Sequence, residues 1–166
     1  MTKSQLESVS AWFAEKPRRL WLLRGGNTLC VACAAGAFLE RLALHTDLRA
    51  PGPSIRFALT CGVPFLLLSA ARTRLDLPRP YEVYGLEPLL PREGKGKSFP
   101  SRHVFSIFVI GTSLLFLVPW EGAALLILGV LLSAIRLLAG LHFERDVLAG
   151  AAIGVLSGVA GCAWLP

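Results

Sequence analysis

Three short clusters of ionisable residues carry the chemistry of this chain: Arg72 with Arg79-Pro80, then Pro100-Ser101-Arg102-His103, then Arg136 with His142 and Asp146. Guanidinium groups present paired N–H donors that match phosphate oxygens, and Ser101 adds a hydroxyl donor. A helix opening just after Ser101 would turn unpaired backbone N–H groups and the positive end of its dipole toward the same anion. Two histidines, His103 and His142, suffice to divide the roles of nucleophile and general acid. His142 and Asp146 are four positions apart, so one helical face can carry both. The carboxylate would then accept from one ring nitrogen, fix the tautomer and leave the other nitrogen free to attack.

These clusters are far apart in the chain, and the elements that must bring them together are membrane spans. The protein has 166 residues, 54% hydrophobic and 17% charged, with mean hydropathy +0.58. That composition excludes a disordered chain and argues against an ordinary cytosolic enzyme. The length suits a single domain, residues 1–166. A spanning helix needs about 20 mainly apolar residues. Five stretches qualify, at 20–39, 53–71, 104–120, 122–141 and 147–166. The expected fold is all-α, a polytopic bundle of about five transmembrane helices with an N-terminal interfacial helix. Passing up and down through these spans puts all three clusters at one membrane face.

Residues 1–19 lack the continuous apolar core of a secretory signal, because Glu7, Glu15, Lys16, Arg18 and Arg19 interrupt it. Leu6, Val9, Trp12 and Phe13 fall at helical spacing, which fits a helix lying at the interface or one packed on the bundle. The fourth and fifth spans are rich in Gly, Ala and Ser, which lets helices approach closely in lipid. The connection 72–103 is basic and holds five prolines between Pro78 and Pro100, so it reads as a functional loop. Within it, Gly94-Lys95-Gly96-Lys97 reads as a mobile basic stretch, and Tyr81, Glu82 and Tyr84 as loop-shaping residues. Cys30, Cys33, Cys61 and Cys162 form no zinc framework and read as small buried hydrophobes. Trp12, Trp21, Trp120 and Trp164 sit near span ends as belt anchors, and His45 reads as a solvated residue on the opposite side. Singly, Arg136 reads as a snorkelling side chain and each site histidine as an interfacial polar residue, although intramembrane charges usually mark function.

Together the three clusters resemble the type 2 phosphatidic acid phosphatase superfamily of membrane lipid phosphatases, whose motifs are K-x6-R-P, P-S-G-H and S-R-x5-H-x3-D. Arg72 to Arg79-Pro80 keeps the first spacing with Arg for Lys. Pro100-Ser101-Arg102-His103 keeps the second with Arg102 for Gly, and Arg136 to His142 to Asp146 keeps the third with Ile135 in place of Ser. The resemblance runs from Arg72 to Asp146 and preserves the order of all three motifs. It implies a metal-independent hydrolase without cofactor, in which His142 is the nucleophile and forms a phosphohistidine. His103 would protonate the leaving oxygen, Asp146 would orient His142, and Arg72, Arg79, Ser101 and Arg136 would hold the phosphoryl oxygens. Arg102 is placed to meet a second phosphate, as in a diphosphate substrate.

The net charge of +6 fits anionic headgroups and an anionic substrate rather than nucleic acid. With five spans, every Lys and Arg except Arg41, Arg49 and Arg56 falls on the side of the clusters. The positive-inside rule then favours a cytoplasmic active site in a multi-pass cell-membrane protein. The family's usual six spans and frequent outer-face sites point the other way. The expected partners are the bilayer and a lipid phosphate: polyprenyl diphosphate is favoured, with phosphatidate and phosphatidylglycerol phosphate as alternatives. The motifs do not define an oligomeric state. A non-catalytic lipid-phosphate binder or transporter is the competing class; binding alone needs the arginines but not an oriented histidine.

Overall fold

Apolar length sets the helices of this protein and glycine sets their spacing. The computed structural model describes residues 1–44, 52–91 and 94–163, apart from the side chains of Leu44 and Cys162. The readings of His45, Arg49, Arg92, Cys162 and Trp164, and the end of the fifth span, lie outside the described residues. The helices are α1 (Lys3–Ala14), α2 (Pro17–Leu44), α3 (Gly52–Leu75), α4 (Pro80–Tyr84), α5 (Arg102–Leu117), α6 (Pro119–Leu138) and α7 (Glu144–Cys162). The five predicted spans correspond to α2, α3, α5, α6 and α7, with ends moved by a few residues.

Among the described residues, α2, α6 and the stretch from α3 through α4 are long and apolar enough to cross a membrane unaided. Helix α5 has 16 residues, which makes it about 24 Å long, short of a hydrocarbon core of about 30 Å. It is instead the centre of the bundle, packed against α2, α3, α6 and α7. Val104, Phe105, Ile107 and Leu114 on it are fully buried. Pro119 at the start of α6 takes the first helical position, where its missing N–H costs nothing.

The close approach of α5 and α7 depends on three glycines four residues apart. A Cβ on Gly150 would lie 2.6 Å from the Ser101 carbonyl oxygen, and one on Gly154 2.8 Å from that of Phe105. One on Gly158 would lie 2.6 Å from Thr112 Cβ. The expected small-residue packing is therefore present, and its main partner is α5. It fixes the start of α7 against the start of α5, where two of the three clusters meet.

Helix α1 opens on a reciprocal cap. The Gln5 N–H donates to the Thr2 hydroxyl at 3.4 Å, and the Thr2 N–H to the Gln5 side chain at 2.8 Å. Leu6 is buried over Gly140, Val9 and Phe13 are half-buried, and Trp12 is exposed beneath the Arg19 guanidinium. Of the two readings of this segment, the structure has the helix packed on α2 and α6. Trp21 and Trp120 are exposed at the starts of α2 and α6. Cys30, Cys33 and Cys61 are free thiols, and Cys30 and Cys61 are buried.

The basic loop is held by its own polar residues. Glu82 accepts the N–H groups of Arg79 and Gly96, at 2.8 and 3.0 Å. The Tyr81 hydroxyl donates to the Gly94 carbonyl. The Tyr81 and Leu89 N–H groups donate to the Gly140 and Ala139 carbonyls, at 3.2 and 3.3 Å. Residues 94–97 therefore hang on α4 rather than ranging freely, which corrects their reading as a mobile stretch; Tyr81 and Glu82 shape the loop as expected.

Candidate active site

The motif residues lie at or next to helix ends, where the backbone leaves the bundle. Arg72 lies in the last turn of α3, almost fully buried, and donates to the Pro100 carbonyl. Arg79 caps α4 and donates from Nε to the Gly96 carbonyl at 3.0 Å. Ser101 caps α5; its N–H donates to the Asp146 carbonyl at 2.8 Å. Its hydroxyl oxygen is buried and has no hydrogen-bond partner among the described residues. Arg136, in the last turn of α6, reaches Asn27 Oδ1 at 3.4 Å from Nη1 and lies 3.2 Å from His103 Nδ1 through Nη2. With 2% of its surface exposed, Arg136 does not snorkel to solvent.

His142 and Asp146 are both buried, with 3.7 Å between His142 Nδ1 and Asp146 Oδ2. They do not share a helical face as the spacing suggested. Gly140 takes a left-handed conformation (φ +70°) that stops α6, and α7 begins only at Glu144. Asp146 therefore sits in the first turn of α7, where its carboxylate accepts the Phe143 N–H at 2.9 Å, and His142 precedes the helix. The same carboxylate oxygen accepts from the Ser98 hydroxyl at 2.6 Å. Asp146 lies ahead of the apolar stretch that starts at Val147. Burial opposes its charge, but the interactions from His142, Ser98 and the Phe143 N–H outweigh burial and hold its carboxyl below the ordinary range.

The first and second clusters are thus joined through Arg72 and Pro100, and the second and third through Ser101 with Asp146 and His103 with Arg136. Three buried guanidinium groups at one end of a bundle concentrate positive charge and suit a multiply charged anion. Arg102 stands apart. It is exposed, with its guanidinium 5.8 Å from the centre of the Phe65 ring on α3. Among the described residues, no group of His, Cys, Asp and Glu side chains is gathered to hold a metal ion.

Two open cavities meet at His103. One, of about 390 Å³, is lined by Asn27, Thr28, Leu90, Pro91 and Arg136. The other, of about 420 Å³, is lined by Arg102, Phe65, Ser106, Val31 and Leu132. It shares Phe65 and Ser106 with a neighbouring apolar groove of about 240 Å³ between α2, α3 and α5, walled by Phe38, Cys61, Phe105 and Ile110.

Two site residues escaped the sequence reading. Ser98 is one of two serines in the 72–103 connection, and unlike Ser101 it belongs to none of the three clusters. Asn27 did leave a signal: a carboxamide inside an apolar span is costly unless it bonds within the protein.

Residues 53–166 match the family model described as the PAP2 superfamily. The chain belongs to the PAP2 superfamily. PAP2 phosphatases are hydrolases, and the fold agrees with solved members. The crystal structure of Aquifex aeolicus LpxE is similar at 25% identity and TM-score 0.64, over 82% of this chain and 83% of that one. The crystal structure of a transmembrane PAP2-type phosphatidylglycerolphosphate phosphatase from Bacillus subtilis is similar at 22% identity and TM-score 0.64, over 97% of this chain and 84% of that one. A search of curated proteins gave no match. The all-helical bundle, its apolar spans and its PAP2 membership make this a membrane protein. Helices α1 and α2 precede the PAP2 match, yet α2 reaches the PAP2 site through Asn27.

Proposed function

We propose that this PAP2 protein hydrolyses a lipid phosphate or diphosphate, with polyprenyl diphosphate favoured over phosphatidate and phosphatidylglycerol phosphate. The reading rests on one observation. The buried arginines, Ser101 and the His142–Asp146 pair meet at one end of the bundle, and the cavity beside His103 adjoins an apolar groove across Phe65 and Ser106. A phosphate at the arginines and a hydrocarbon chain along that groove describe a lipid.

In this mechanism Arg72, Arg79, Arg136 and the Ser101 hydroxyl hold the non-bridging oxygens, which neutralises charge as the phosphoryl group becomes five-coordinate. Asp146 Oδ2 faces His142 Nδ1 at 3.7 Å and favours the tautomer with the proton on Nδ1, so Nε2 carries the lone pair that attacks phosphorus. The phosphorus–oxygen bond to the lipid breaks, and His103 delivers a proton to the departing oxygen. Water then attacks the phosphohistidine, gives its proton to His103 and releases phosphate. Arg102 borders the cavity on the His103 side and would meet the second phosphate of a diphosphate. The guanidinium-rich pocket favours an anion without a bridging metal, so no cofactor enters these steps. The reaction unit is taken as the whole of residues 1–166, with the 72–103 connection as the catalytic loop, and the charge bias supports a site on the cytoplasmic face.

His142→Ala tests the reading. Purified wild type should release phosphate from lipid phosphates in excess chelator and be inhibited by vanadate, and the variant should be inactive while keeping its thermal transition. Wild type trapped during turnover should carry a base-stable, acid-labile phosphoryl group that the variant lacks. Normal phosphate release by His142→Ala would overturn the assignment.

A further inference from the structure

Helix α2 packs on α5 and α6, α3 packs on α5 and α7, and the two meet each other only marginally. Two features draw α3 away from α2. On its α7 side, a Cβ on Gly161 would collide with the Thr60 side chain, so the helices are already as close as glycine allows. Pro64 lies inside α3 and cannot donate to the Thr60 carbonyl, which favours a bend at this level. The seam left between α2 and α3 is the apolar groove of about 240 Å³, floored by α5. Gly62 lines it from α3, and an added Cβ there would meet nothing within 4 Å. The Ser106 hydroxyl, at the top of the groove, is spent on the Arg102 carbonyl at 3.0 Å. The walls are therefore hydrocarbon, sulfur and aromatic ring.

The seam has a charged end and a closed end. Arg102, 5.8 Å from the centre of the Phe65 ring, marks the end nearest the site. At the other end Phe38 of α2 packs on the buried Phe57 of α3, with ring centres 5.6 Å apart. Phe57 precedes Gly62 by more than a turn, and α3 runs toward the site, so this pair lies beyond Gly62 from Arg102. Between Arg102 and Ile110, α5 advances about 12 Å, close to the length of an extended octyl chain. We propose that Gly62 makes the room in which the substrate's hydrocarbon chain lies, and that the Phe38–Phe57 pair limits how much of that chain is gripped. The proposal rests on the phosphatase reading, with the phosphate at the buried arginines. Lipid tails are as apolar as the groove, so it selects a chain by fit rather than by hydrophobic transfer.

Butyl and octyl phosphate test this, because they share the same leaving oxygen and differ only in chain length. Gly62→Leu fills the seam and should lower the octyl-to-butyl ratio of kcat/KM about tenfold, mainly through KM; Gly62→Ala should lower it less. Gly36, on the exposed side of α2, also has nothing within 4 Å of an added Cβ. Gly36→Leu adds the same side chain outside the groove and should keep the wild-type ratio. Phe38→Leu shortens the closed end and should raise the dodecyl-to-octyl ratio severalfold, an arm that stands even where Gly62→Leu does not accumulate. An unchanged octyl-to-butyl ratio in Gly62→Leu, the same fall in Gly36→Leu, or an unchanged dodecyl-to-octyl ratio in Phe38→Leu would overturn the proposal. Wild-type turnover of butyl phosphate leaves the phosphatase reading standing in each of those cases; no turnover of any phosphate ester would remove both.

Discussion

The Ser98 hydroxyl lies 2.6 Å from Asp146 Oδ2, with both residues completely buried. This bond fixes the carboxylate that stands beside His142. A buried hydrogen bond to a charged acceptor is worth about 1.5–3 kcal/mol, and about 1.4 kcal/mol is a factor of ten in rate. Ser98→Ala should therefore lower kcat about tenfold with little change in KM, and Ser98→Thr should recover most of the loss. Steady-state kinetics on a lipid phosphate would check this. An unchanged kcat in Ser98→Ala would show that the Phe143 N–H alone orients Asp146.

The depressed carboxyl of Asp146 gives stability a predictable dependence on pH. Its folded value lies below the unfolded value of about 4, so its contribution is full above the unfolded value and is lost as pH falls through the folded one. Asp146→Asn should melt at lower temperature than wild type at neutral pH, and the gap should shrink as the pH is taken below about 4. Thermal unfolding in detergent across that range measures it. A gap that stays constant into strong acid would contradict the account.

Gly150 provides a structural prediction tied to the site. A methyl group there meets the Ser101 carbonyl at 2.6 Å, and the backbone cannot step aside without moving the α5 cap. Gly150→Ala should cost about 1–3 kcal/mol of stability and reduce activity together. Gly36, with nothing within 4 Å of an added Cβ, provides the control. Gly36→Ala should leave both properties unchanged or slightly raise stability. Equal behaviour of the two variants would remove glycine packing from the argument.

The side of the membrane that carries the site is open to a direct measurement. Lys95 is exposed in the 72–103 connection. With the four native cysteines replaced, Lys95→Cys should resist a membrane-impermeant thiol reagent in intact cells and react once the membrane is opened. Labelling in sealed cells would place the loop outside, against the charge bias.

Some of this protein is determined by sequence alone, and the reasons are local. Apolar runs of spanning length mark the helices because lipid offers the backbone no hydrogen-bond partners. The order Arg72–Arg79, Ser101–His103, Arg136–His142–Asp146 marks the PAP2 motifs, since each cluster is contiguous and a fixed chain path brings them to one face. The glycines of α7 are visible too, although not the helix they face. Tertiary structure alone decided the rest. Whether α1 lies free or packs depended on Gly140 leaving room for Leu6. The His142–Asp146 spacing looked helical, but a left-handed Gly140 ended α6 and put His142 ahead of α7. Arg102 sits beside His103 in sequence and yet turns toward Phe65, because successive residues on a helix face different directions. Ser98 and Asn27 join the site from a loop and from a helix outside the motifs. Their importance lies in which buried charge each touches, and long-range proximity of that kind is created only when the chain has folded.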